Sequence, residues 1–198
     1  MEEVKAYLSR LTGETIYPDV PLRLRSVQRA ALSSWARQQK VNIRLAVVRS
    51  GTPFLLEDLL GTEEVQPAGT SLALTVQPPP ANLPMVAAAK PGAVGIDIEE
   101  VESMPYADDY REHPFYQDNF TSTEIAYCLL RADVRASFCG IWAAKEAVLK
   151  TGVVSAPAGH LKGIEILRDE MGRPTFPQCS LSISHTAKTA IAMCSAIL

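Results

Sequence analysis

The chain has 198 residues, 47% of them hydrophobic, which suffices for one domain or two small ones with a full core and makes disorder unexpected. Its 19 Lys and Arg against 22 Asp and Glu give a formal net charge of −3, so there is no basic footprint for nucleic acid or a membrane surface. The start, Met1-Glu2-Glu3-Val4-Lys5, lacks the basic-then-apolar build of a secretory leader, and no apolar run approaches a bilayer span, so a cytoplasmic protein is expected.

Val4, Tyr7, Leu8 and Leu11 recur at helical spacing and stop at Gly13, which predicts an amphipathic helix over 3–12. After a loop with Pro18 and Pro21, Ser26 is placed to cap a second helix over 27–39, with Val27, Ala30, Ala31 and Trp35 on one side and Arg25, Arg29 and Arg37 on the other. Residues 43–48 read as a strand or an extended loop, and 54–60 as a last short helix before Gly61. Residues 1–61 are thus expected to form a small helical unit, followed by a linker at 62–69 and a second domain at 70–198.

In that second part, 71–76, 85–89 and 94–98 are strand-compatible and could form an antiparallel meander around the stiff Pro78-Pro79-Pro80 turn. Residues 102–119 are polar and acid-rich, and read as a surface excursion that leaves His113 solvated. Thr121 and Glu124 fit a capping box for a helix to about Arg131. Ala, Leu, Lys and Glu fill a longer helix that ends at Gly152. Two hairpins follow, the first turning through 169–174 with Gly172 at a left-handed position, the second pairing 181–184 with 189–194. Cys128, Cys139, Cys179 and Cys194 have neither a Cys-x-x-Cys pair nor a histidine in ligand spacing, and read as buried free thiols.

Side chains alternate along a strand, so Asp97 and Glu99 leave one face about 7 Å apart, outward, while Ile96 and Ile98 enter the core. On the long helix Trp142, Glu146 and Lys150 share one face at i, i+4 spacing. If the helix packs over the strand, three carboxylates meet one lysine, a cluster that repels itself unless a cation sits in it. Hard oxygen ligands without cysteine or histidine favour Mg²⁺ or Mn²⁺ over zinc, which points to a metal-phosphate site. Singly, each feature has an ordinary reading: Glu146 and Lys150 as a helix pair worth a few tenths of a kcal/mol, Trp142 as core.

Gly95-Ile96-Asp97-Ile98-Glu99, then Phe120-Thr121-Ser122-Thr123-Glu124, then Trp142-x-x-Lys145-Glu146-Ala147-x-x-Lys150, in this order and spacing, resemble the signature of the phosphopantetheinyl transferases. Ser182-Ile183-Ser184-His185-Thr186 before Ala190 resembles the closing motif of the short, holo-acyl-carrier-protein-synthase type. The resemblance implies an α+β fold, an antiparallel sheet with packed helices, at about 70–198. It implies transfer of phosphopantetheine from coenzyme A to a serine of an apo acyl carrier protein of a fatty acid or polyketide synthase, with release of adenosine 3′,5′-bisphosphate. Asp97, Glu99 and Glu146 would hold Mg²⁺, or Mn²⁺; Lys150 would meet the phosphates; Glu146 would serve as base. Ser184 and His185 would hold the coenzyme's nucleotide phosphates, and Lys145 would be either a coenzyme contact or a solvated charge. The short type works as a trimer with each site between subunits, so a homotrimer is implied, with Ser184 and His185 facing a neighbour's carboxylates. Residues 1–61 in turn resemble an acyl carrier protein, in which the serine opening the second helix bears phosphopantetheine; Arg25 stands before Ser26 where carriers have aspartate. Two alternatives remain: a catalytically impaired domain that binds coenzyme A or a carrier, and a Mg²⁺-dependent phosphohydrolase.

Overall fold

The computed structural model describes residues 1–60, 90–154, 156 and 161–197; the expected linker, the strand candidates at 71–76 and 85–89, and His160 lie outside the described residues. Helix α1 (Glu2–Thr12) carries its acids in the first turn, where they suit the helix dipole, and closes at Gly13 with φ 75°. Helix α2 (Ser26–Gln38) begins one residue earlier than expected: Arg25 is the flanking residue, its N–H donating to Gln28 Oε1 at 3.0 Å, and Ser26 lies inside the first turn. The expected strand or extended loop at 43–48 is corrected to a helix, α3 (Leu45–Ser50), closed by Gly51 at φ 70°. A helical turn satisfies its backbone groups internally, which a strand without a neighbour would not. Helix α4 (Leu56–Leu60) then buries Leu56 and Leu59.

Val4, Leu8, Leu32, Phe54 and Leu59 belong to one apolar cluster made by these four helices and the loops between them. The other side of α2 leaves it: Val27, Ala30 and Ala31 join a second, larger cluster built by the rest of the chain. Arg25 with Glu100 at 2.5 Å and Arg37 with Asp118 at 2.8 Å tie both ends of α2 to that second half. Two arginines on the basic side of α2 are thus paired with acids while staying partly open to water.

Strand β1 (Val94–Glu100) runs into a short 3-10 turn, Val101–Ser103. The expectation of a polar surface excursion over 102–119 is corrected next: helix α5 (Pro114–Asn119) inserts Phe115 and Tyr116, both fully buried, into a ring cluster with Phe120, Phe138 and Trp142. Burial of these large rings outweighs the polar composition of the segment. His113 is not solvated but caps α5, Nδ1 accepting from the Phe115 N–H at 3.2 Å, and burial lowers its pKa. Helix α6 (Ser122–Leu129) has the expected capping box: Thr121 Oγ1 accepts from the Glu124 N–H at 3.2 Å and Glu124 Oε2 from the Thr121 N–H at 2.8 Å.

Helix α7 (Val134–Thr151) is opened by Asp133, whose side chain accepts from the Ala136 N–H, and closed by Gly152 at φ 74°. The first hairpin is short, β2 (Leu167–Arg168) with β3 (Pro174–Thr175), and 163–166 stay outside it. The second is formed by β4 (Cys179–His185) and β5 (Thr189–Ala196). Strand β5 is central, antiparallel to β1 on one side and β4 on the other. The result is an α+β fold in which α7 lies across one face of a three-stranded sheet. Small residues let it approach: a Cβ on Gly95 would stand 2.0 Å from the Ala147 carbonyl oxygen, and one on Gly140 3.0 Å from Ile183 Cγ2. All four cysteines are buried and free, and no helix among the described residues is long and apolar enough to cross a membrane.

The alternation of β1 is the reverse of that expected. Asp97 and Glu99 are 8% and 6% exposed on the face under α7, whereas Val94, Ile96 and Ile98 are 56%, 52% and 64% exposed. Polar groups brought by α7 and α2 receive the carboxylates, so the apolar edge is turned away, where Ile191 and Met193 extend it across β5.

Candidate active site

Two consecutive residues of α7 point to different places because a helix turns about 100° per residue. Lys145 is fully buried, and its ammonium donates to Glu124 Oε2 at 2.8 Å and to the carbonyls of Leu161 at 3.1 Å and Ile164 at 2.7 Å. Its three protons are thereby used, and burial lowers its pKa. Lys145 is thus neither the solvated charge nor a group facing the cluster of acids; it holds α7, α6 and the following loop together.

Glu146 turns the other way, toward β1. A cavity of about 550 Å³ is lined there by Asp97, Glu99, Glu146 and Lys150, with Arg25 and Arg29 of the N-terminal unit across from them. Lys150 does not pair with Glu146 along its own helix. Its ammonium reaches Asp97 Oδ1 at 2.7 Å and the Ile96 carbonyl at 3.0 Å, which fixes the end of α7 on β1. Burial first, and then the Asp97 and Glu99 charges, raise the Glu146 pKa from the usual 4.5 to about 7. Burial likewise raises that of Glu99.

Asp97 Oδ2 is buried with no hydrogen-bond partner among the described residues. An orphaned carboxylate oxygen beside two carboxylates of raised pKa is a donor set suited to a hard cation. Among the described residues no three potential ligands converge closely enough to form a ready-made cage. The structure thus brings together Asp97, Glu99, Glu146 and Lys150, and separates Lys145 from them.

Ser184 and His185 are not brought to the cavity by their own chain. Ser184 pairs with Ile191 on the outward, apolar face of the sheet, whereas His185 pairs with Ala190 and so shares the inner face with Glu99, two strands away, about 10 Å at the backbone. Both are exposed.

Sequence reasoning missed the residues that complete the cavity from the N-terminal unit. Ser26 Oγ donates to Glu99 Oε1 and accepts from Trp142 Nε1–H at 3.1 Å. Arg25 pairs with Glu100, which holds that carboxylate's pKa down. The basic side of α2 was the available signal, although its partners lie some seventy residues away.

Residues 93–194 match the family model of the 4′-phosphopantetheinyl transferase superfamily. A holo-[acyl-carrier-protein] synthase of Chlorobaculum tepidum is 37% identical over 111 residues, 50% of this chain and 93% of that protein. The fatty acid synthase subunit alpha of Lachancea kluyveri is 46% identical over 78 residues, 38% of this chain; the chain spans only 4% of that subunit's length. Among solved structures, holo-[acyl-carrier-protein] synthase from Neisseria meningitidis aligns with a TM-score of 0.45 and 23% identity, over 52% of this chain and 96% of that one.

Proposed function

The chain belongs to the 4′-phosphopantetheinyl transferase superfamily, and on that premise we propose that it transfers the phosphopantetheine of coenzyme A to a serine of an apo acyl carrier protein, with Mg²⁺ or Mn²⁺ required. The observation that carries the reading is the meeting of Asp97, Glu99, Glu146 and Lys150 in one cavity. The serine oxygen attacks the β-phosphorus, and the phosphorus–oxygen bond to adenosine 3′,5′-bisphosphate breaks. A divalent cation held by Asp97, Glu99 and Glu146 would supply charge neutralisation at the diphosphate. Lys150 adds a point charge to the same phosphates. Glu146, with a pKa near 7, is poised to take the serine proton at neutral pH. Arg25 and Arg29 contribute further positive charge from the facing wall. Lys145, enclosed beside Glu124, takes no part.

The uncovered apolar face of Val94, Ile96, Ile98, Ile191 and Met193 supports a homotrimer. Ser184, on that same face, and His185, exposed on the inner face of the edge strand β4, would then contact the coenzyme bound at a neighbour's carboxylates. Four buried free thiols suit the reducing cytoplasm. A second reading, a coenzyme- or carrier-binding module without turnover, is favoured by Ser26 and Arg25 already standing against Glu99 and Glu100.

Intact-mass spectrometry of a separate apo carrier protein with this chain, coenzyme A and Mg²⁺ tests the function. One phosphopantetheine is expected per carrier, and Asp97→Ala abolishes it. An unmodified carrier, with coenzyme A still bound to this chain, supports the binding module instead. Sedimentation should show a trimer that Ile96→Asp reduces to monomers; a monomeric native chain would refute the assembly.

A further inference from the structure

The two apolar clusters of the molecule do not close on each other completely. A second cavity, of about 180 Å³, lies between α2, α3 and α7, and it shares Ser26, Arg29 and Glu146 with the cavity of Asp97 and Lys150. Protein interiors are close-packed, with few voids larger than a water molecule. Here the larger cluster supplies Ala30 and Leu161 and the N-terminal one supplies Val48, all at most 3% exposed, and neither fills the space between them. The space is an annex of the site rather than a packing fault.

Its lining is polar at the shared wall and, Ser33 apart, apolar beyond it. The Arg29 guanidinium donates to the Leu24 carbonyl at 3.0 Å and has further N–H groups for a ligand carbonyl. Ser33 Oγ gives its proton to the Arg29 carbonyl at 2.9 Å and keeps lone pairs for a ligand N–H. A ligand that suits this order has phosphates in the larger cavity, amides at the shared wall and an apolar tip. Coenzyme A is built in that sequence: a diphosphate, then amides, then a thiol that can carry an acyl group. The annex has the volume of about six water molecules, enough for the sulfur end with a short acyl group and too little for a long one. Arg29, Ala30, Ser33 and Val48 lie outside the residues 93–194 that match the family model, so this wall is an addition of the N-terminal unit.

We infer that the annex receives the sulfur end of coenzyme A together with a short acyl group on it, so that short-chain acyl-coenzyme A thioesters serve as donors and the N-terminal unit sets the upper limit of chain length. The inference rests on the transferase reading above. The thioester is carried over intact: the bonds made and broken are those at phosphorus, and the products are an acyl-phosphopantetheinyl carrier and adenosine 3′,5′-bisphosphate.

The unaltered chain is titrated calorimetrically in Mg²⁺ with acetyl-, butyryl- and octanoyl-coenzyme A, and with adenosine 3′,5′-bisphosphate, which lacks the arm. Two more buried methylenes should tighten binding about tenfold from acetyl to butyryl, and octanoyl should bind more weakly than butyryl. Intact-mass spectrometry of a separate apo carrier should show the butyryl-phosphopantetheine adduct forming faster than the octanoyl one. Leu149→Ala widens the annex and should admit octanoyl as well as butyryl, a gain that a misfolded variant cannot give. Ala30→Leu fills it and should weaken butyryl-coenzyme A about tenfold while adenosine 3′,5′-bisphosphate binds as before. Binding indifferent to chain length, an octanoyl limit unmoved by Leu149→Ala, or butyryl binding unmoved by Ala30→Leu overturns the inference, and a carrier still modified from coenzyme A leaves the transferase reading standing. A carrier unmodified by every donor overturns the transferase reading itself.

Discussion

Lys145 with Glu124, and Lys150 with Asp97, Glu99 and Glu146, are two ionic groupings built from the same helix, and they are composed differently. The first is one cation to one anion, fully enclosed, every ammonium proton donated. The second is three anions to one lysine, at a cavity, with an oxygen left over and a half-exposed lysine side chain. A balanced enclosed pair fixes the position of three elements and has nothing left to offer a ligand. An unbalanced grouping stores repulsion that a cation, a proton or a phosphate-bearing substrate can relieve, which is what a reactive site requires.

The sharpest way to break the comparison is to neutralise one acid in the second grouping. Glu146→Gln should lower carrier modification about 10²–10⁴-fold, while urea unfolding at pH 7.5 shows unchanged or greater stability because a repelling charge is gone. The converse change, Lys145→Met, strands Glu124 in the core and should cost about 3–5 kcal/mol in the same unfolding measurement. A Glu146→Gln variant that loses stability to the same extent would erase the distinction.

The smallest expected effect is in pH. Glu146 titrates near 7 when folded and near 4.5 when not. Between these values the folded chain keeps a proton that the unfolded chain releases, so stability falls as pH rises from about 4.5 to about 7. The loss reaches up to roughly 3 kcal/mol and is complete above that window. Glu99, shifted the same way, adds to the slope. Melting of the metal-free chain across this range should show the decline, Glu146→Gln should flatten most of it, and a rise in stability over the window would contradict the cause assigned to the shift.

Local spacing made much of the fold and half of the site legible. Asp97 and Glu99 two apart, and Glu146 and Lys150 four apart, fix which side chains travel together whatever surrounds them. Which way they travel is a matter of the surroundings. Spacing alone sends Ile96 and Ile98 inward because an isolated strand has no other reason to bury one face, and the polar lining beneath the sheet comes from α7 and α2. Phe115 and Tyr116 were concealed by the polar residues flanking them, since two rings at adjacent positions make no periodic pattern. Ser26 meets Glu99 across 73 residues of chain, a contact that no window of periodicity contains. The Lys145 pairing was hidden for a related reason: Glu124 was legible as a cap, and one of its oxygens serves both tasks.

Gly95 sets the clearance of this machinery. With no Cβ between β1 and the Ala147 carbonyl, helix and strand rest directly on each other, and Asp97, two residues further on, comes level with Lys150. A single methyl group there would act as a wedge at the pivot, prising α7 from the sheet so that every charge beyond it separates. The tolerance of the site is therefore governed by an atom that is missing rather than by any that reacts.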